Sequence, residues 1–64
     1  MSYRIEDCYC SYDTEKAICV ESENLDDEEW IPQSQIHEDS EVWKKEDEGT
    51  LIVNDWFAKQ KGWI

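Results

Sequence analysis

Basic residues are scarce in this chain. Only 6 of its 64 residues are Lys or Arg, against 17 Asp or Glu, and the formal net charge is −11 at pH 7. A chain this anionic is repelled by phosphate and by acidic lipid, which excludes direct binding to DNA, RNA or an anionic membrane surface. No apolar run reaches the length of a signal peptide or a membrane span. No linker, internal repeat or low-complexity tract breaks the chain beyond its acidic clusters, so residues 1–64 read as a single domain.

Metal and nucleophile motifs are equally sparse. The three cysteines, Cys8, Cys10 and Cys19, form no Cys-x-x-Cys pair, and the Cys-x-Cys spacing is not that of a zinc knuckle. The odd count and the absent secretion signal point to reduced thiols in a reducing, cytosolic compartment. His37 is the sole histidine. With the cysteines it could complete a zinc set, but two thiols at alternate strand positions share one face and more often pack into a core. No Asp-x-Asp-x-Asp-Gly calcium loop surrounds Asp26 or Asp47. No oxyanion hole or phosphate loop accompanies a thiol–histidine pair. The expectation is a protein with no catalytic residues, no metal and no cofactor.

What the chain does have is aromatic mass. Four tryptophans and 39% apolar residues distinguish it from a disordered acidic tail, which lacks the groups needed to offset chain entropy. A domain of this length buries only about 60% of its unfolded surface. Trp30, Trp43, Trp56 and Trp63, with Tyr3, Tyr9, Tyr12 and Phe57, are therefore expected to make up most of the core. The alternative for Trp30 and Trp43 is an exposed anchor in a partner interface, where tryptophan is enriched.

The local pattern predicts an α+β domain: a small twisted antiparallel sheet of four to five short strands, half-barrel-like, with one short C-terminal helix. Strands are expected over residues 3–12, Lys16–Glu21, Glu28–Ile31 and Thr50–Val53, with weak alternation over 38–44 anchored by Val42 and Trp43. Asp13–Glu15 and Lys45–Gly49 read as turns, residues 22–27 as a polar loop, and Gln33–Ile36 as one tight helical turn. Pro32 must end its strand or hold it at an edge. Asn54 suits an N-cap, Asp55 the positive end of a helix dipole, and Gly62 the C′ position of a helix over 55–61.

The acids are concentrated. Glu21, Glu23, Asp26, Asp27, Glu28, Glu29, Glu38, Asp39, Glu41, Glu46, Asp47 and Glu48 lie in one stretch that holds only Lys44 and Lys45 as counter-charges. Solubility accounts for a net charge of about 2–8 on a small domain, and this chain exceeds it. Self-repulsion costs stability, so the excess favours a charge surface with a role, the twelve acids forming a partner-binding face for a strongly positive protein.

Two resemblances bear on function. The segment Trp30-Ile31-Pro32-Gln33-Ser34-Gln35-Ile36 and the later Trp56-Phe57-Ala58-Lys59-Gln60-Lys61-Gly62 resemble a strand-and-turn followed by a helix in short phage and mobile-element proteins. That resemblance covers residues 16–62, speaks to fold, and is departed from in the long acidic 22–29 loop. In size and charge, though not in aligned motifs, the chain also resembles phage anti-CRISPR proteins of the DNA-mimic type. This second resemblance implies an inhibitor whose acidic surface blocks the DNA-binding groove of a host CRISPR surveillance complex, where the protospacer-adjacent motif is read. On this expectation the chain acts as a monomer. The alternative is a phage accessory protein–protein interaction module whose aromatic sheet face binds a partner and whose charge serves only solubility.

Overall fold

A computed structural model describes residues 2–64. In chain order it contains β1 (Ser2–Asp13), β2 (Ala17–Ser22), β3 (Glu29–Pro32), a 3₁₀ turn at Gln33–Gln35, β4 (Glu48–Asn54) and α1 (Asp55–Gln60). The four strands make one open sheet in the order β3-β2-β1-β4, antiparallel throughout. The α+β architecture with a single short C-terminal helix is thus present.

The long strand β1 is the spine. Its first half pairs with β4, from Ser2 opposite Asn54 to Ile5 opposite Leu51, and its second half pairs with β2. The two ladders overlap only at Cys8 and Tyr9, each of which has a partner on both sides. Two bulges interrupt the strand, between Ile5 and Cys8 and between Cys10 and Tyr12. An extra residue reverses the face of everything beyond it. The first bulge therefore turns Cys8 to the same side as Ile5, with Asp7 absorbing the irregularity at φ 56. The second turns Tyr12 to the same side as Tyr9.

One face of the sheet is the interior. Ile5, Cys8, Cys10, Ile18, Val20, Ile31, Leu51 and Val53 form a cluster closed over by Ile36, Val42 and by Phe57 and Ala58 of α1. Burying one Val, Leu or Ile contributes about 1.5–3 kcal/mol, so these aliphatic chains carry most of the stability. The expectation of an aromatic core fails. Trp30 (51% exposed), Trp56 (62%) and Tyr12 (62%) stand in solvent, and Tyr9 and Trp43 are exposed as well. Each of the three exposed tryptophans adjoins a smaller apolar residue that takes the inside: Trp30 beside Ile31, Trp43 beside Val42, Trp56 beside Phe57. Trp30 and Ile31 are neighbours on β3 and face opposite ways, so only one of them can enter a one-sided core. Of the aromatics, Phe57 is buried, and Tyr3 and Trp63 pack partly against the cluster.

The helix terminus places Trp63. The Gly62 N–H donates to Lys59 O at 3.1 Å and the Trp63 N–H to Ala58 O at 2.9 Å, with Gly62 at φ 77. This paired arrangement is a Schellman motif, and it requires a residue that tolerates positive φ. It brings the Trp63 ring edge-on to Phe57, with centroids 5.8 Å apart, and stacks it on Tyr3 at 5.7 Å. Asn54 occupies the N-cap position without a side-chain capping bond, and Asp55 lies in the first turn.

The fifth strand expected within 38–44 does not form. The 3₁₀ turn carries the chain from the β3 edge to the far edge of β4, where Ile36 makes an isolated bridge with Val53. From there the backbone N–H groups of His37 and Glu41 donate to Ile52 O and Thr50 O. In the reverse direction side chains stand in for carbonyls: Ile52 N–H donates to Ser40 Oγ at 3.0 Å and Thr50 N–H to Glu41 Oε1 at 2.8 Å. The edge of β4 is satisfied without a ladder, which also protects it from pairing with another chain.

A candidate partner-binding surface

The sheet's other face carries the candidate site. Directly paired residues in an antiparallel sheet share a face. Tyr9 pairs with Glu21 on one side and Glu48 on the other, so these three form a row across β2, β1 and β4. The next row is Tyr12, Cys19 and Trp30, across β1, β2 and β3. Cys19 and Glu21 are two residues apart on β2, which puts both rows on the same face.

The first row answers a question of placement that the sequence leaves open. The loop after β2 and the turn before β4 both end beside the midpoint of β1. Shallow hollows flank Tyr9, one lined by Asp7, Cys8, Tyr9, Glu48 and Gly49, the other by Asp7, Tyr9, Glu21, Ser22 and Glu23. Asp7, Glu21, Glu23 and Glu48 therefore surround one tyrosine. Adjacent strands are spaced about 4.8 Å apart, so the Glu21 and Glu48 backbones are about 10 Å apart. Two unit charges at that distance in water repel by about 0.4 kcal/mol before salt screening, a cost the fold can carry. Asp7 is the member that sequence reasoning missed. Its only signal was the Glu6-Asp7 acidic pair inside an otherwise strand-like run, and the bulge at Asp7 brings it beside Tyr9.

Other expected site acids are committed to the fold. The Glu29 carboxylate pairs with Lys61 Nζ and ties β3 to the chain after α1. Glu41 holds the edge of β4 and lies so close to Gly49 that a Cβ there would fall 2.7 Å from Oε1. Asp47 Oδ2 accepts from the backbone N–H groups of Trp43 and Lys44 at 3.0 and 3.1 Å. Asp26, Asp27 and Glu28 are exposed on the loop between β2 and β3, Glu38 and Asp39 on the segment beside β4, and Glu46 in the turn before it at φ 77. The Asp39 N–H donates to His37 Nδ1 at 3.1 Å. The acids thus divide into a group around Tyr9, a group on the β2–β3 loop, a pair beside β4, and a fold-supporting set.

Aromatic side chains accompany the acids. Tyr12 carries the Lys45 ammonium 5.6 Å from its ring centroid, and the Lys45 N–H donates to Asp13 Oδ2. Trp43 is anchored by its indole N–H, which donates to Ser40 O at 2.7 Å. Between Tyr12 and Trp30 the Cys19 side chain is buried although it lies on the outer face.

The three cysteines are free thiols and all are buried. Burial is the main cause raising each pKa above its ordinary 9.0. Asp7 adds to the shift at Cys8, Asp13 and Asp47 at Cys10, and Glu28 and Glu21 at Cys19. Thiols held protonated in this way are poor nucleophiles and poor metal ligands. Among the described residues no group of three His, Cys, Asp or Glu side chains is gathered in a metal-binding arrangement. No helix among them is long and apolar enough to cross a membrane.

No protein-family model matches the chain, and comparison with curated proteins and with solved structures finds no match.

Proposed function

We propose that this protein is a non-enzymatic inhibitor that occupies a basic nucleic-acid-binding surface on a host protein and excludes the nucleic acid. The observation that carries the reading is the Glu21–Tyr9–Glu48 row, which joins two acidic segments distant in sequence on one exposed sheet face. The size of the charge supports it. The molecule's longest extent is 26 Å, and its net charge is −11. A duplex of that length carries about 15 phosphates, at one per ~1.7 Å of axis. The charge density is of the same order, so a groove shaped to hold DNA also attracts this surface. Opposite charge would make the association fast and sensitive to salt.

The finer reading follows the resemblance in size and charge to DNA-mimic anti-CRISPR proteins: the target is a CRISPR surveillance complex, engaged at its motif-reading groove in the bacterial cytoplasm by a monomer. The sheet is half-barrel-like on this reading, supported by the short passage from β3 to the β4 edge at Ile36. Its curl would present the acidic face outward.

The test is competition. Labelled duplex DNA bearing the recognised motif is bound to purified surveillance complexes, and the protein is titrated in across a salt series. Displacement that weakens as salt rises supports the reading. Simultaneous binding of DNA and protein rejects it for those complexes, and proteins retained from a bacterial lysate with and without competing duplex then decide the broader class.

A second reading has its own observation. Tyr12 and Trp30 are exposed on the same face as the acids, which is where a protein–protein interaction module would carry its anchors. If target binding is insensitive to salt but lost in Trp30→Ala, that module is the better account.

A further inference from the structure

The proposal concerns the chemistry of the partner's contacting side chains, and it rests on the acidic-surface reading above. An exposed tryptophan and an exposed tyrosine lie in one row on the face that carries Glu21 and Glu48. A solvated charge surface needs neither. Their planar rings offer broad faces beside carboxylates, since Glu21 follows Cys19 on the same side of β2. The Glu28 carboxylate lies near enough to the Cys19 thiol to oppose its ionisation. Rings flanked by carboxylates match one cation best. Guanidinium is flat, weakly hydrated and able to stack on an aromatic face while its edge donates to a carboxylate. Ammonium is a compact, strongly hydrated point charge. The molecule already shows a cation using this face: its own Lys45 Nζ sits over Tyr12. Among the described residues no cationic side chain lies over Trp30.

We propose that Tyr12 and Trp30 form an arginine-docking face, on which guanidinium groups of the partner protein stack while Glu21 and Glu28 accept their hydrogen bonds. Lys45 occupies the Tyr12 half of this face in the unbound protein and is displaced on binding. The partner's essential contacts are then arginines, and lysines of equal charge do not replace them.

Two short peptides test this, one of alternating Gly and Arg and one of alternating Gly and Lys, with equal length and charge. Their affinities for the intact protein are measured at fixed salt by following the indole N–H resonances. The arginine peptide is expected to bind about 3- to 10-fold more tightly, the range of one or two ring–cation contacts. It should shift the Trp30 indole signal; Trp30→Ala should narrow the gap between the two peptides, and Trp30→Ala with Tyr12→Ala should bring them level. Lys45→Gln should strengthen arginine-peptide binding more than Lys44→Gln, which changes the net charge equally but vacates no ring. Equal affinity for the two peptides in the unaltered protein overturns the proposal and leaves the acidic-surface reading standing. So does an arginine preference that survives the loss of both rings in Trp30→Ala with Tyr12→Ala. Failure of both peptides to bind removes the acidic-surface reading and this inference together.

Discussion

The two faces of the sheet are built from alternate residues of the same strands and obey different rules. The inner face is aliphatic, close-packed and nearly devoid of charge, with Ile18, Ile31, Leu51 and Val53 fully buried. The outer face has large aromatics and carboxylates side by side, with Glu21, Glu48, Tyr9, Tyr12 and Trp30 all reaching solvent or half-reaching it. A marginal domain would gain by moving those rings inside and spreading the acids. Instead stability and charge are segregated by the two-residue period, and each bulge in β1 restores the segregation where the chain would otherwise lose it. The lesson is that aromatic content measures the core only when the ring's neighbour in sequence is not a better-shaped aliphatic.

The sharpest way to break the contrast is to cut one residue from each face. Leu51→Ala should cost about 2–5 kcal/mol, comparable to the entire stability of so small a domain, and leave the protein largely unfolded in a urea titration. Trp30→Ala, although it removes a larger side chain, should stay within about 1 kcal/mol of the unaltered protein. If Trp30→Ala proves the more damaging, the assignment of faces is wrong.

Gly49→Ala comes next. The residue sits at φ 139 and its missing Cβ makes room for Glu41. The substitution combines backbone strain with displacement of the carboxylate that satisfies Thr50, and a loss of about 2–3 kcal/mol is expected, read from the denaturation midpoint. Gly62→Ala meets no atom within 4 Å and carries only the penalty of its φ of 77, about 1 kcal/mol.

The thiols give the interior a pH dependence. Their folded-state pKa values are raised, so the folded protein holds its thiol protons more tightly than the unfolded chain. Their contribution is fully present below the unfolded value near 9.0 and is lost as pH rises beyond it. Stability should be insensitive to these groups at pH 7 and fall as pH rises past about 9. Cys8→Ala should flatten that fall, and the slope of the denaturation midpoint against pH measures it.

Much of the fold was legible. The apolar run at 18–20, the β-branched run at 51–53, the edge proline and the Lys61-Gly62 helix stop each carry a local signal, and the structure places them as expected. The Thr14 turn follows as well, with Thr14 Oγ1 accepting from the Lys16 and Ala17 N–H groups, whereas the strand ends shift by a residue or two and β4 starts at Glu48, inside the expected Lys45–Gly49 turn. The bulges were not legible, because nothing in Glu6-Asp7 or Ser11 announces an inserted residue until two partner strands are in register. Without the bulges the face of each residue in β1 is ambiguous, and so were the positions of Tyr9 and Tyr12. The segment 38–44 misled for another reason: Ser40 and Glu41 complete the β4 edge through side-chain oxygens, which no pattern of alternation reports. Of the twelve acids named from the sequence, composition could not separate Glu29, Glu41 and Asp47, which hold the fold together, from those left facing solvent.

The measurement that tests the central claim most directly is DNA competition by a variant altered only on the outer face. Glu21→Lys with Glu48→Lys reverses the two carboxylates beside Tyr9 and should leave the melting temperature unchanged or slightly raised, because self-repulsion falls. The account predicts at least a tenfold weaker displacement of duplex DNA from the target than by the unaltered protein, with the gap narrowing as salt rises. Undiminished displacement by the correctly folded variant would contradict the assignment of this face as the working surface.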